Sequence, residues 1–260
     1  MPSPLPNAPR LAGAMRRAVL LMAVPGPALA AGGHFTVEDA ALLDPGQCQV
    51  EGWVEHESRA DRRLAHVGSS CGLGPVEVGL GWDRSRLRAV DAPMATSAYV
   101  KWAVGISDAV GIGATVAGNW QAAAPRYAGT TIVIPLSWRI DDALQANLNI
   151  GRDYLRGGAH ANRAGVAVEW RPAAQWLVIA EQFRQSEASF ARIGLRWEPT
   201  KTLGIDLSRA DRWSGPSSAW WTLGIAWTFE PRGRPASETP RGARRHDAKP
   251  PVLALVGPAR

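Results

Sequence analysis

From Gln47 to Phe229 the side chains alternate, apolar then small or polar, in segments about ten residues long, and this alternation narrows the fold more than any other feature. A period of two sends successive side chains to opposite faces, so each segment reads as a β-strand with one apolar and one wet face. Val76, Val78, Leu80 and Trp82 form one apolar set; Ile132, Ile134, Leu136 and Trp138 form another, and Trp221, Leu223, Ile225, Trp227 and Phe229 form the last. The intervening positions hold residues such as Gly79, Gly81, Gln145, Asn147, Asn149, Thr222 and Gly224. With two strands flanking the cysteines, twelve segments are counted. Ten residues is also the length at which a tilted strand crosses a bilayer.

A soluble sandwich would show similar alternation, so the connections decide. Ser107–Ala109, Asp141–Asp142, Arg171–Gln175 and Glu198–Thr202 are short. Arg84–Ala95, Gln121–Gly129, Asp153–Arg163 and Ala210–Ala219 are longer and fall between them. Short turns on one side and long loops on the other are the habit of a membrane barrel, which requires an even strand number and both ends on the short-turn side. Trp138, Trp170, Trp176 and Trp197 flank the short turns, while Trp82, Trp120 and Trp221 flank the long ones, as two interfacial girdles would. No stretch reaches ~18 apolar residues, so a helical span is not expected.

Two hairpins can be registered from the residues. Centred on Arg59-Ala60, the first places Cys48 opposite Cys71, Val50 opposite Ser69, Gly52 opposite Val67 and Val54 opposite Ala65. A disulfide is the first reading of that pair; free thiols and a metal pair are the alternatives, and a metal would need His or carboxylate partners that are not evident nearby. Centred on Ser186-Glu187, the second places Trp176 opposite Trp197, Val178 opposite Leu195 and Ala180 opposite Ile193. It also puts Leu177 and Ile179 inward and sets Glu181 against Arg192, and a turn over Glu198–Thr202 sets Asp206 opposite Gly194, diagonal to Arg192 and Arg196. The four charges would share the lumen, either as a selectivity constriction or as a salt-bridged filling that neutralises itself.

The net charge of +6 is carried by the ends. Residues 31–229 hold 19 basic and 20 acidic residues, so the folded part has no basic footprint and nucleic acid is not an expected partner. Residues 1–30 resemble a secretion leader: Arg16 and Arg17, the apolar run Ala18–Val24, then Ala28-Leu29-Ala30 with cleavage expected after Ala30 and a start at Met15 equally compatible. Residues 31–46 are expected as a periplasmic segment before the barrel of residues 47–229. Residues 230–260, rich in Pro and Arg and without periodicity, are expected to be disordered, either dispensable or a tether to an anionic partner such as peptidoglycan.

Thr222, Gly224, Trp227 and Phe229 sit in a closing strand that resembles the terminal assembly signal of small Gram-negative outer-membrane β-barrel proteins. The resemblance implies an all-β, up-and-down transmembrane barrel, recognition by the barrel-assembly machinery, and contact with outer-membrane lipid and lipopolysaccharide. The chain departs from that pattern by continuing 31 residues past Phe229.

Chemistry is sparse. His56 lies beside Ser58 and His160 lies in a Gly-rich loop, but His34 and His66 lack evident acid and nucleophile partners, and no G-x-S-x-G, H-E-x-x-H, phosphate-loop or dinucleotide motif occurs. Neither enzyme activity nor a cofactor or metal is expected. The expected function is a narrow passive pore or a structural envelope component; the alternatives are a barrel that binds lipopolysaccharide or a surface ligand, a lipid-modifying enzyme and a soluble β-sandwich.

Overall fold

The computed structural model describes residues 33–88, 90–91, 94–121, 126–185, 188–214 and 217–231. The expected leader through Ala30 and the expected disordered tail beyond Pro231 lie outside the described residues.

The strands follow the alternation: β1 (Cys48–Glu57), β2 (Arg62–Gly72), β3 (Val76–Leu87), the two-residue β4 (Val90–Asp91), β5 (Ala95–Gly105), β6 (Val110–Gln121), β7 (Tyr127–Arg139), β8 (Leu144–Leu155), β9 (His160–Ala173), β10 (Trp176–Gln185), β11 (Ala188–Thr200), β12 (Leu203–Arg212) and β13 (Ala219–Phe229). Each long strand pairs antiparallel with its neighbours, and β1 pairs with β13 from Cys48↔Phe229 to His56↔Trp221. The twelve long strands therefore close into a ring, with β4 folded back on β3 at Arg86↔Asp91. Closure pairs every edge, which is the condition for a sheet to sit in lipid.

The apolar set of each strand faces outward, and among the described residues no protein layer covers it. Val54, Val67, Leu80, Val100, Ile150, Ile193, Leu207, Leu223 and Ile225 are all exposed. So are all seven girdle residues: Trp82, Trp120 and Trp221 at one end, Trp138, Trp170, Trp176 and Trp197 at the other. The alternate residues turn inward and are buried, among them Glu77, Thr115, Asn147, Asn149, Glu169, Ser208 and Thr222. A polar interior inside an apolar exterior reverses the plan of a soluble protein and suits a lipid surround.

The two hairpin registers read from the sequence are present pair for pair, and Cys48 and Cys71 are joined as a disulfide. The long connections are shorter than expected. β8 runs to Leu155 and β9 starts at His160, so the expected Asp153–Arg163 link is four residues, 156–159. Ladder bonds are made by backbone and continue past the apolar band whatever the side chains, so the strands project beyond it.

Residues 33–46 differ from the expectation of a segment outside the barrel. The chain turns in at Gly46, whose N–H bonds Gly72 O (2.9 Å), and runs inside the lumen back to Gly33. A short segment without periodicity cannot satisfy its own amides in an enclosed space, and the polar inner wall supplies the partners.

Candidate functional site

The lumen is the candidate site, and residues 33–46 occupy it. Leu43 N–H donates to Glu77 Oε2 on β3 (3.0 Å), and Ala40 N–H donates to Ser137 Oγ on β7 (2.8 Å). Lys101 of β5 donates to Asp39 Oδ1 (3.3 Å), and Thr115 of β6 donates to Glu38 Oε2 (2.6 Å). Asn149 of β8, with its amide oriented to satisfy both groups, donates to Glu38 O (2.8 Å) and accepts from Glu38 N (2.6 Å). The N–H groups of Thr36 and Val37 converge on Glu181 Oε2 of β10 (3.1 and 3.0 Å). Arg192 donates to His34 O, and His34 Nε2 lies 2.6 Å from Ser208 Oγ on β12. In fourteen residues the segment meets most of the circuit of the wall.

Two apolar side chains anchor it. Phe35 packs with Leu177 and Ile179, the inward residues of β10. Val37 packs with Ala167, Phe183, Ala210 and Trp220, with Phe190 alongside. Each anchor lies against a glycine of the wall: a Cβ on Gly194 would be 2.6 Å from Phe35 Cζ, and one on Gly165 would be 2.6 Å from Val37 Cγ2.

The four lumen charges are brought together, but not in the expected pattern. Glu181 and Arg192 are direct ladder partners at 3.0 Å, as the hairpin implied. Asp206, however, stands opposite Arg196 and not opposite Gly194, which faces Ser208. β11 runs on to Thr200 and β12 starts at Leu203, so the turn is tighter than Glu198–Thr202 and lies nearer β12, and a one-residue slip between Trp197 and Thr200, beside Pro199 with no N–H, leaves the register two residues from the expected one. The Arg196–Asp206 pair is then direct at 2.7 Å, with both side chains nearly inaccessible. Both arginines are neutralised by a neighbour in the wall, so the cluster is a filling and not an open ring of charge.

The histidines have partners that sequence spacing could not supply. His66 Nδ1 lies 2.7 Å from Asp83 Oδ1, and its ring stacks on Trp53 at 3.6 Å between centroids. His56 Nε2 is 3.3 Å from Ser58 Oγ on the exposed rim, and His160 is exposed. Thr222 and Gly224 of the closing strand face inward, while Trp227 faces outward and stacks with Phe229 at the seam with β1. Among the described residues there is no helix long and apolar enough to cross a membrane, which says nothing of strands. No cluster of three or more His, Cys, Asp or Glu suited to a metal occurs among them either.

Solved structures with this fold include the KdgM porin (TM-score 0.57, 9% identity, covering 70% of this chain and 99% of that one). The KdgM porin in complex with disordered oligogalacturonate gives a TM-score of 0.56 at 10% identity, covering 70% of this chain and 99% of that one. The toluene transporter TbuX of Ralstonia pickettii aligns at a TM-score of 0.49 and 9% identity, over 74% of this chain and 92% of that one. A search of curated proteins found no match. The architecture is thus that of the outer-membrane porins, a closed antiparallel barrel of twelve strands. Over residues 18–229 the sequence matches the family described as "Uncharacterised conserved protein UCP029691", and the chain belongs to that family.

Proposed function

We propose that this chain is exported by its leader to the outer membrane of a Gram-negative cell and serves there, without catalysis, as a narrow passive pore whose passage is set by residues 33–46. The observation that carries the reading is the way the segment is held. Its contacts are mostly hydrogen bonds to polar groups of the wall, at Glu77, Ser137, Thr115, Asn149 and Glu181, with one ion pair, Lys101–Asp39, and two apolar anchors, Phe35 and Val37. Once it leaves, what remains is a polar wall suited to water and solutes, because polar groups that lose protein partners are hydrated readily.

The test is conductance in planar bilayers, comparing the full chain with a variant lacking residues 33–43. Brief, small openings in the full chain and sustained stepwise current in the deletion are expected. Silence from both folded proteins would overturn the pore in favour of a structural envelope component. That second reading draws on the pairing of Arg192 with Glu181 and of Arg196 with Asp206, which fills part of the lumen whether or not the segment is present.

A further inference from the structure

Residues 33–46 are held as a receptor holds a peptide, largely through the backbone. Wall side chains meet the N–H groups of Thr36, Val37, Glu38, Ala40 and Leu43 and the carbonyls of His34 and Glu38. Asn149, its amide oriented as above, pairs with Glu38 at both atoms, donating to O (2.8 Å) and accepting from N (2.6 Å). A neighbouring strand would offer a peptide that same two-point exchange. Glu181 takes the consecutive N–H groups of Thr36 and Val37 on Oε2 (3.1 and 3.0 Å), while Arg192 steadies its Oε1 (3.0 Å).

Every residue but proline presents an N–H and a C=O, so contacts of this kind select a class of polymer and not one sequence. A sugar hydroxyl can donate to Glu181, but a donor and an acceptor held one residue's width apart, repeated along an extended chain, belong to an amide backbone. Side-chain preference is added at fixed points. Phe35 and Val37 fill the space left by Gly194 and Gly165, and just beyond them Thr115 and Lys101 donate to Glu38 Oε2 (2.6 Å) and Asp39 Oδ1 (3.3 Å). The wall thus fits an extended chain with two apolar side chains at alternate positions followed by acidic ones. These groups belong to the strands and stay when the segment leaves, hydrated where they are polar and recessed at the two glycines.

We propose that the vacated lumen binds extended oligopeptides bearing apolar and acidic side chains, and that residues 33–46 are a tethered stand-in for them on the same track. The inference rests on the pore reading above for the release of the segment, and it names the class of solute the pore admits. A tethered segment competes at an effective concentration of about millimolar, so free peptide gains the track only where the segment's own hold is weak.

The full chain folded in detergent micelles is compared with its F35A/V37A variant, in which the segment loses both apolar anchors, and heat-modifiable gel mobility reports folding. The probe is a fluorescent, end-capped synthetic peptide of residues 33–43, its binding read by anisotropy. Saturable binding to F35A/V37A is expected, at least about tenfold tighter than to the unmodified chain, whose own segment competes. Methylating the probe's backbone nitrogens at Thr36, Val37 and Glu38 removes three donors and leaves every side chain; it is expected to weaken binding at least about tenfold. Adding Asn149→Ala to the barrel is expected to weaken the unmethylated probe about tenfold as well, which separates lost hydrogen bonds from the bulk of the methyl groups. Equal binding of the methylated probe, equal binding with Asn149→Ala, or equal affinity of the unmodified and F35A/V37A chains would each overturn the track. So would the absence of saturable binding to a folded F35A/V37A barrel. If the double variant does not fold, F35A alone is measured against the same probes, with the same outcomes. In bilayers, F35A/V37A currents blocked by the probe support the inference, and sustained currents indifferent to it sink only this inference. A folded barrel that binds peptide but never conducts sinks the pore and leaves the peptide site standing.

Discussion

Gly194 and Gly165 have ordinary strand backbones, since neither is among the residues of positive φ. The absence of a side chain therefore answers a need for space, and in each case the space is taken by a residue of the lumen segment. Gly194→Ala would drive a methyl group to within 2.6 Å of the Phe35 ring, which has the barrel wall behind it. Overpacking of this kind costs about 1–3 kcal/mol, and it falls on the seat of the segment more than on the ladder. The expected outcome is a correctly folded barrel with larger or more frequent conductance steps, returned toward the parent level by adding Phe35→Ala. A Gly194→Ala barrel with the parent conductance would show that Phe35 is not what holds the lumen occupied.

At the scale of elements, the lumen segment also carries a pH dependence. Burial, reinforced by the positive charges of Arg192 and Arg196, lowers the pKa of His34 from 6.5 to about 2. Those arginines lie on β11, and Arg196 is paired with Asp206 of β12, beside the Ser208 that His34 meets. Seated, the imidazole is neutral; released, it titrates near its ordinary value. Protons therefore favour the released state, and the contribution of His34 is full above pH 6.5 and weakens by up to ~1.4 kcal/mol for each unit below it. Conductance of the full chain is expected to rise between pH 7 and pH 5, and His34→Gln is expected to flatten that rise. An equally steep response in the variant would assign it to other groups. This segment is the part of the molecule that sequence reading missed, and the reason is physical. Strands announce themselves through period-two side chains, and the Cys48–Cys71 and Trp176–Trp197 hairpins could be registered from such pairs alone. Thr36, Val37, Ala40 and Leu43 are held by their backbone N–H groups, which every residue but proline possesses. The available hint was indirect: inward glycines at 165 and 194 on otherwise filled strands. Asp206 was misplaced by two residues for a related reason, because backbone pairing carries β11 through Glu198, Pro199 and Thr200 into what the side chains mark as a turn, and the one-residue slip beside Pro199 leaves no mark in the alternation.

For the molecule as a whole, the seam between β1 and β13 joins the first and last strands of the ring, Cys48 to Phe229. Cys48 has ladder partners on both sides, Phe229 across the seam and Cys71 in the first hairpin, to which it is also covalently bound. Replacing both cysteines by serine removes a crosslink spanning 23 residues at the point where the ring closes. A loss of about 2–4 kcal/mol is expected, read as a lower temperature for the heat-induced gel shift with bilayer currents unaltered. An unchanged shift temperature would mean that the ladder alone secures the joint. The same seam has a consequence for compartments. Because Cys48 and Phe229 are neighbours on one rim, the lumen segment threads in, and the chain past Phe229 departs, through a single doorway. A pull on the barrel's last residue, Phe229, would thus act on the same stretch of rim at which the stopper turns in.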